Sequence, residues 1–405
     1  MLRDRPPPGN ARPANRLRIE AGVGVRRSVS VHNEAARKTM KPVEIYNDLS
    51  RNVIGQEETL RYVSVAIFKH LQGEKYGNLL LIGNSGTGKT TIMRAIESLY
   101  NAHQEFSEYR VVLIMNANTL ATEEGAVDTS RLFARLEERT RQVLGDGATA
   151  EQIGRAMERA TVCLDEIDKV SGLIGGKPYV TGINIQQAVL TLIEGERVPY
   201  RITAPNANGE IESVSTWIDT GKMLFLCAGA FETLYDQVFH RVTSPKSGVK
   251  LPTTTTYVNG KITIKEYFTL RHHFRQEDLF EYGMQPQFLS RFDNAVILED
   301  LNAGTLARIF REPQDGVLQA SRNFFQKYGI DLEITDDAVQ KIAEEASKSA
   351  RIGARALKSV YGKIIKPYEF DPFSREEVKP VNGDGGPHRL VIDDKIVGEA
   401  LKPAI

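Results

Sequence analysis

The sequence predicts an α/β fold, a parallel five-stranded sheet covered by helices and followed by a small, mostly helical C-terminal domain. Three observations carry that prediction. Between about residues 42 and 302, five short apolar runs alternate with helical stretches, which is the pattern of a parallel sheet buried on both faces. A glycine-rich segment follows the first run and leads into a helix, as in a strand–loop–helix unit. Beyond 303 the character changes to helices, with Ala338, Ile342 and Ala346 at helical spacing and one further strand candidate at Arg389 to Ile392.

The five runs are Leu79 to Ile82, Val111 to Met115, Thr161 to Leu164, Met223 to Cys227 and Ala295 to Leu298, each bounded by polar residues or glycine. Between the fourth and the fifth, Ser244 to Lys265 contains four consecutive threonines and is expected to be a long loop or a hairpin insertion. At the other end, residues 1–41 hold ten Arg or Lys against Asp4, Glu20 and Glu34, together with Pro6, Pro7 and Pro8. That composition predicts a disordered basic tail. An organelle-targeting segment or a nucleic-acid arm are the alternatives for it, and Met40 is an alternative start. The expected division is therefore a tail over 1–41, a large domain over 42–302 and a small domain over 303–405.

Composition excludes several classes. Lysine plus arginine equals aspartate plus glutamate, 52 against 52, so no overall field draws the chain to nucleic acid or an anionic membrane. No stretch approaches the ~20 apolar residues of a membrane span, and no signal peptide opens the chain. Cys163 and Cys227 both lie inside apolar runs, which predicts two reduced, buried thiols and a place in the cytoplasm.

Gly83-Asn84-Ser85-Gly86-Thr87-Gly88-Lys89-Thr90 satisfies GxxxxGK[ST] directly after a strand and before a helix. Glycines there let successive backbone N–H groups face phosphate oxygens, and the helix adds its positive end. Lys89 is expected to place its charge on the β- and γ-phosphates of ATP, and Thr90 to ligate Mg²⁺. Thr91, the next residue, is counted with the nucleotide-binding positions. Val162-Cys163-Leu164-Asp165-Glu166 is an apolar strand ending in two carboxylates. Asp165 suits the Mg²⁺ shell, and Glu166 suits a general base for the attacking water. The bland alternatives are a glycine-rich turn and a solvated acidic turn, the latter because Asp168 and Lys169 continue the charge.

From about residue 47 to 395, these motifs and their order resemble the ClpX family of AAA+ protein unfoldases, with HslU as the nearer cousin. Asn52-Val53-Ile54-Gly55-Gln56 resembles the family's adenine-side box, in which Val53 and Ile54 would contact the base. Leu164 to Lys169 is similar to its Walker-B run, and Gln186-Gln187-Ala188 through Leu192-Ile193-Glu194-Gly195 to the helix after it. Leu224 to Phe231 looks like the fourth strand and its exit. Pro286 to Phe292 resembles the arginine-finger segment, which makes Arg291 the residue offered to a neighbour's ATP. Gly353-Ala354-Arg355 resembles the sensor-2 motif, where Arg355 would touch ATP in its own subunit. A finger supplied from outside implies a ring, and the resemblance implies a homohexamer acting on protein substrates.

Departures from the family pattern bear on function. The two cysteines fall short of the four in the family's N-terminal zinc-binding domain, so adaptor docking of that kind is not expected. Where the family has Gly-Tyr-Val-Gly in its first pore loop, Glu124-Gly125-Ala126-Val127-Asp128 puts Ala126 at the aromatic position. Tyr179 is a candidate replacement in the second pore loop. The Ile-Gly-Phe tripeptide that docks a ClpP-type peptidase has Ser247-Gly248-Val249 as its nearest candidate, and the basic Arg-Lys-His loop has no clear match between Arg197 and Trp217. At the sensor-1 place stand Cys227, Ala228 and Gly229, and no residue is assigned there.

The resulting expectation is an ATP-hydrolysing ring that remodels or unfolds protein partners without feeding a ClpP-type peptidase. A nucleic-acid motor or loader is an alternative, against which stand Glu123, Glu124 and Asp128 in the first pore loop, where phosphate would be repelled. A nucleotide-gated assembly scaffold is the other, against which stands the intact Glu166.

Overall fold

Five parallel strands form the central sheet: β1 (Leu79–Ile82), β2 (Val112–Asn116), β3 (Thr161–Asp165), β4 (Leu224–Gly229) and β5 (Asn294–Ile297). They are the five predicted runs, shifted by no more than two residues at either end. The computed structural model describes residues 40–402 apart from 75–76, 207, 259–260, 267, 314–315, 350–351 and 382–387. The expected basic tail thus lies outside the described residues except for Met40 and Lys41. All described residues belong to one compact unit.

The strand order is β5-β1-β4-β3-β2, all pairs parallel. Leu80 and Ile82 point into the core on one face while Leu79 and Leu81 point into the core on the other. Val162 and Leu164 likewise oppose Cys163. Alternation with both faces covered is why these strands read as unbroken apolar runs. At the carboxyl ends the register sets Asn116 of β2 opposite Asp165 of β3. In an open parallel sheet that edge is where ligands bind.

Long antiparallel hairpins project from this body. Arg197–Pro205 pairs with Ile211–Asp219 over nine residues, held down by Ile202, Ala204 and Ile218 while Trp217 stays exposed. Thr253–Val258 pairs with Lys261–Glu266, as expected for a hairpin insertion. From Leu301 to Val397 a separate core forms, in which Ala338, Ile342 and Ala346 are all buried. Its helices flank a three-stranded sheet of Ile330–Ile334, His388–Ile392 and Val378–Pro380. The C-terminal region is mostly helical as expected, with two more strands than the one predicted. Among the described residues no helix is long and apolar enough to cross a membrane.

Candidate nucleotide site

The loop after β1 is shaped by its own backbone and by β4. Gly83 N–H donates to Gly229 O at 3.2 Å, and the Thr87 hydroxyl donates to Asn84 O at 2.9 Å. Gly88 takes a left-handed conformation and caps helix α1 (Lys89–Ala102). Lys89 is nearly buried, its Nζ donating to Gly83 O at 2.6 Å and Asn84 O at 2.9 Å. Burial pushes its pKa down, against the upward pull of Asp165 and Asp168. Thr91 is exposed on the first turn of α1.

β3 ends beside this loop. Thr90 Oγ1 donates to Asp165 Oδ2 at 3.0 Å, and the Glu166 N–H donates to Asp165 Oδ1 at 2.9 Å. Glu166 itself has φ +56°, a rare conformation for a side-chain-bearing residue, and this turns it away from the strand direction. Asn116 Nδ2 donates to Glu166 Oε2 at 3.3 Å. Sequence reasoning missed Asn116, because only the β2–β3 register brings it to this carboxylate. A hydroxyl and a carboxylate in contact form a hard, all-oxygen donor set, which suits Mg²⁺ completed by water and phosphate oxygens.

The opposite wall comes from the C-terminal region. Arg355 is the first residue of helix α3 (Arg355–Phe370), and its Nη1 donates to Ser85 Oγ at 2.6 Å. Ala354 N–H donates to Gly86 O at 3.0 Å. Gly86 and Gly353 are both left-handed, and a Cβ on either would overlap the backbone of the facing segment. Only glycine at both positions allows so close an approach. The start of α3 thereby points its positive end at the loop.

Gln56, missed as an active part of the Asn52–Gln56 box, fastens that box to the site. Its Nε2 donates to Thr87 O at 3.0 Å and Glu299 O at 2.9 Å, and its Oε1 accepts from Glu299 N at 3.0 Å. Val53 is buried and Ile54 half-buried beside it. Asp168, read in the sequence as continuing a charged turn, is buried and caps the exit of β4 by accepting from Ala230 N at 3.1 Å.

One predicted residue is not brought into this cluster. Arg291 lies after the short helix Pro286–Leu289, half exposed, with its guanidinium paired to Glu194 at the end of helix α2 (Val180–Glu194). Of the segments tied to substrate handling, Ala126 is exposed in a turn closed by Thr122 N–H to Ala126 O at 2.8 Å. Tyr179 caps the start of α2, half-buried, with its ring lying over Gly182. The apolar side chains exposed there are Leu173 and Ile174, on the two-stranded hairpin ending at Pro178, and Val180.

A family model described as "AAA domain (Cdc48 subfamily)" matches residues 74–295, and one for the "C-terminal, D2-small domain, of ClpB protein" matches 301–383. Curated relatives include the ATP-dependent Clp protease ATP-binding subunit ClpX 2 of Wolinella succinogenes, 29% identical over 84% of this chain and 80% of the relative. The ClpX subunit of Azotobacter vinelandii is 28% identical over 86% and 78%, and that of Porphyromonas gingivalis 26% over 91% and 87%. With the first family model spanning more than half of its residues, the chain belongs to the AAA domain family of the Cdc48 subfamily, as a ClpX-like AAA+ ATPase.

Proposed function

We propose that the chain works as a homohexameric ring that uses ATP hydrolysis to remodel or unfold protein partners in the cytoplasm. The observation that carries this is the meeting of Thr90 and Asp165 at the end of β3 with Glu166 next in line. Gly83 to Thr91 would cradle the phosphates, with Lys89 as the fixed charge, while Val53 and Ile54 would face the base. Thr90 and Asp165 would hold Mg²⁺, which when bound neutralises charge on the phosphate oxygens. Glu166 would take the proton of the attacking water, held ready by Asn116. Arg355 would contact ATP within the subunit, across the boundary between a large domain over 42–302 and a small one over 303–405. The exposed position of Arg291, away from this cluster, supports its acting on a neighbour's ATP.

Protein substrates are supported by the relatives' names, which describe ATP-binding subunits of a Clp protease. Coupling to a ClpP-type peptidase is not part of the proposal, since Ala126 offers a methyl group where the resemblance expects an aromatic and Ser247-Gly248-Val249 lacks the docking tripeptide. Leu173, Ile174 and Val180 would supply the apolar grip instead.

Glu166→Gln tests this reading. Nucleotide binding should persist while turnover falls by ~10²–10⁴-fold, the usual contribution of a positioned base. Partners captured by that variant in ATP should be proteins. Undiminished turnover would remove Glu166 from the mechanism, and recovery of nucleic acid alone would replace the proposed substrate class.

A further inference from the structure

Arg291 lies beyond a helix of only four residues, Pro286–Leu289, so its aim has to be set by side contacts. Those contacts converge on one buried amide. Gln186 of α2 is fully buried, and its Nε2 donates to Val170 O at 2.8 Å and to Gly283 O at 3.2 Å. Its Oε1 accepts from Gln285 N at 2.7 Å. One side chain therefore joins the chain leaving Glu166 to the turn that leads into Arg291.

The same two segments are laced together around it. Gly172 N–H donates to Gly283 O at 2.8 Å, and the Ser171 hydroxyl donates to Tyr282 O at 2.7 Å. Gly283 has φ +107°, and a Cβ there would overlap the Ser171 hydroxyl, so the approach admits glycine alone. One turn before Gln186, on the same face of α2, a Cβ on Gly182 would overlap the carbonyls of Val170 and Ser171. Eight residues after Gln186, ~12 Å along the helix, Glu194 pairs with the Arg291 guanidinium. α2 thus grips the finger segment at both ends.

We propose that Gln186 is a positioning residue for Arg291, clamping the 283–285 turn onto the chain that leaves Glu166 so that one subunit's strand end sets the guanidinium offered to the next subunit. This rests on the reading of Arg291 as a residue supplied in trans. It assigns Gln186 to the neighbour's reaction although its contacts all lie within its own subunit. The coupling path is short: a 3₁₀ turn over Ile167–Val170, one amide, and the short helix before Arg291.

Complementation in mixed assemblies distinguishes this role from a structural one. Gln186→Leu should bind ATP as wild type does, with turnover lowered on the order of 10–10²-fold, the cost of a misplacement near 1 Å. Mixed with Glu166→Gln chains it should recover activity, because the Gln186→Leu site keeps its base and receives a well-aimed Arg291. Mixed with Arg291→Ala chains it should not, because no subunit then offers one. The reverse pattern would make Gln186 a support of its own site and overturn the proposal, as would wild-type turnover of Gln186→Leu alone. Arg291→Ala mixed with Glu166→Gln is the control: recovery there with none for Gln186→Leu plus Glu166→Gln sinks this inference alone, and no recovery there sinks the trans reading and this inference with it. Should Gln186→Leu fail to assemble, Ser171→Ala, which removes only the hydroxyl donated to Tyr282 O, is read against the same two mixing partners, with the same pattern expected at smaller amplitude.

Discussion

Replacing Arg355 with alanine should weaken ATP binding more than it slows hydrolysis of ATP once bound. The guanidinium touches Ser85 of the phosphate loop at 2.6 Å, and the backbone next to it is tied to Gly86, so the side chain is held over the loop before any rearrangement. A hydrogen bond from a permanently charged guanidinium to a phosphate oxygen contributes ~1.5–3 kcal/mol. Arg355 is exposed on its other sides, which screens the charge and favours the lower half of that range. At about 1.4 kcal/mol per decade, ~1.5–2 kcal/mol corresponds to roughly 10–30-fold in Kd. Arg355→Lys should recover part of this, because an ammonium restores the charge without the planar fork. Titration of a fluorescent ATP analogue into assemblies carrying Glu166→Gln measures binding without turnover. An unchanged Kd in Arg355→Ala, with assembly intact, would mean that the contact with Ser85 only fastens the C-terminal region to the phosphate loop.

Burial pushes His70 down to about 4 from its ordinary 6.5, with its Nε2 on Arg159 O at 3.1 Å. The unfolded chain then binds the extra proton first, so the His70 contribution is whole above pH 6.5 and is lost as pH falls toward 4; by linkage roughly 2 kcal/mol should go between about pH 7.5 and pH 5. Urea unfolding of wild type and His70→Gln at both values checks this, and equal pH dependence in the two would refute it. Ala126→Tyr should raise unfolding of a weakly folded substrate, since an aromatic can bury ~150–250 Å² against an extended chain, and Ile174→Ser should lower it. Fluorescence loss from such a substrate is the readout, and robust ATP-dependent degradation when wild type is mixed with a ClpP-type peptidase would end the peptidase-independent proposal.

What was legible in the sequence divides by physical cause. The five sheet strands were readable because burial on both faces leaves a dense apolar signature, as in Leu79 to Ile82. Local motifs were readable too, since Gly83 to Thr90 is defined by what its own backbone must do. Residues whose place depends on register were not: Asn116 meets Glu166 only because β2 pairs with β3 one way, and Gln56 meets Thr87 and Glu299 from far along the chain. The Arg197–Asp219 hairpin was missed because its outer side chains, Trp217 among them, are exposed and only Ile202, Ala204 and Ile218 are fully buried, too few for a periodic signal. By contrast, Ile330, Leu332 and Ile334 alternate cleanly and could have been read as a strand. Arg291 and Arg355 were placed by resemblance, and no local pattern distinguishes either from an ordinary surface arginine.

The geometry also accounts for how such a chain could keep an ATPase while the segments proposed to face substrate vary. Nucleotide-site residues sit on strand ends and helix starts whose positions are dictated by the sheet: moving Asp165 or Thr90 means moving β3 or α1, each with a fully buried face. The Thr122–Ala126 turn, the Leu173–Pro178 hairpin, and the hairpins 197–219 and 253–266 are insertions between those elements, closed by their own backbone hydrogen bonds. Substitution at Ala126 or Ile174 breaks no pairing in the central sheet, so exchanging an aromatic for a methyl there costs little stability. A stretch that belongs to both parts is Val170 to Gly172, which leaves the Glu166 strand end, runs into the Leu173–Pro178 hairpin and is held by Gln186. Force on the hairpin reaches the strand end along those three residues and through α2, which Gln186 bonds to Val170, so variation should be freest at the hairpin tip and most constrained at its base.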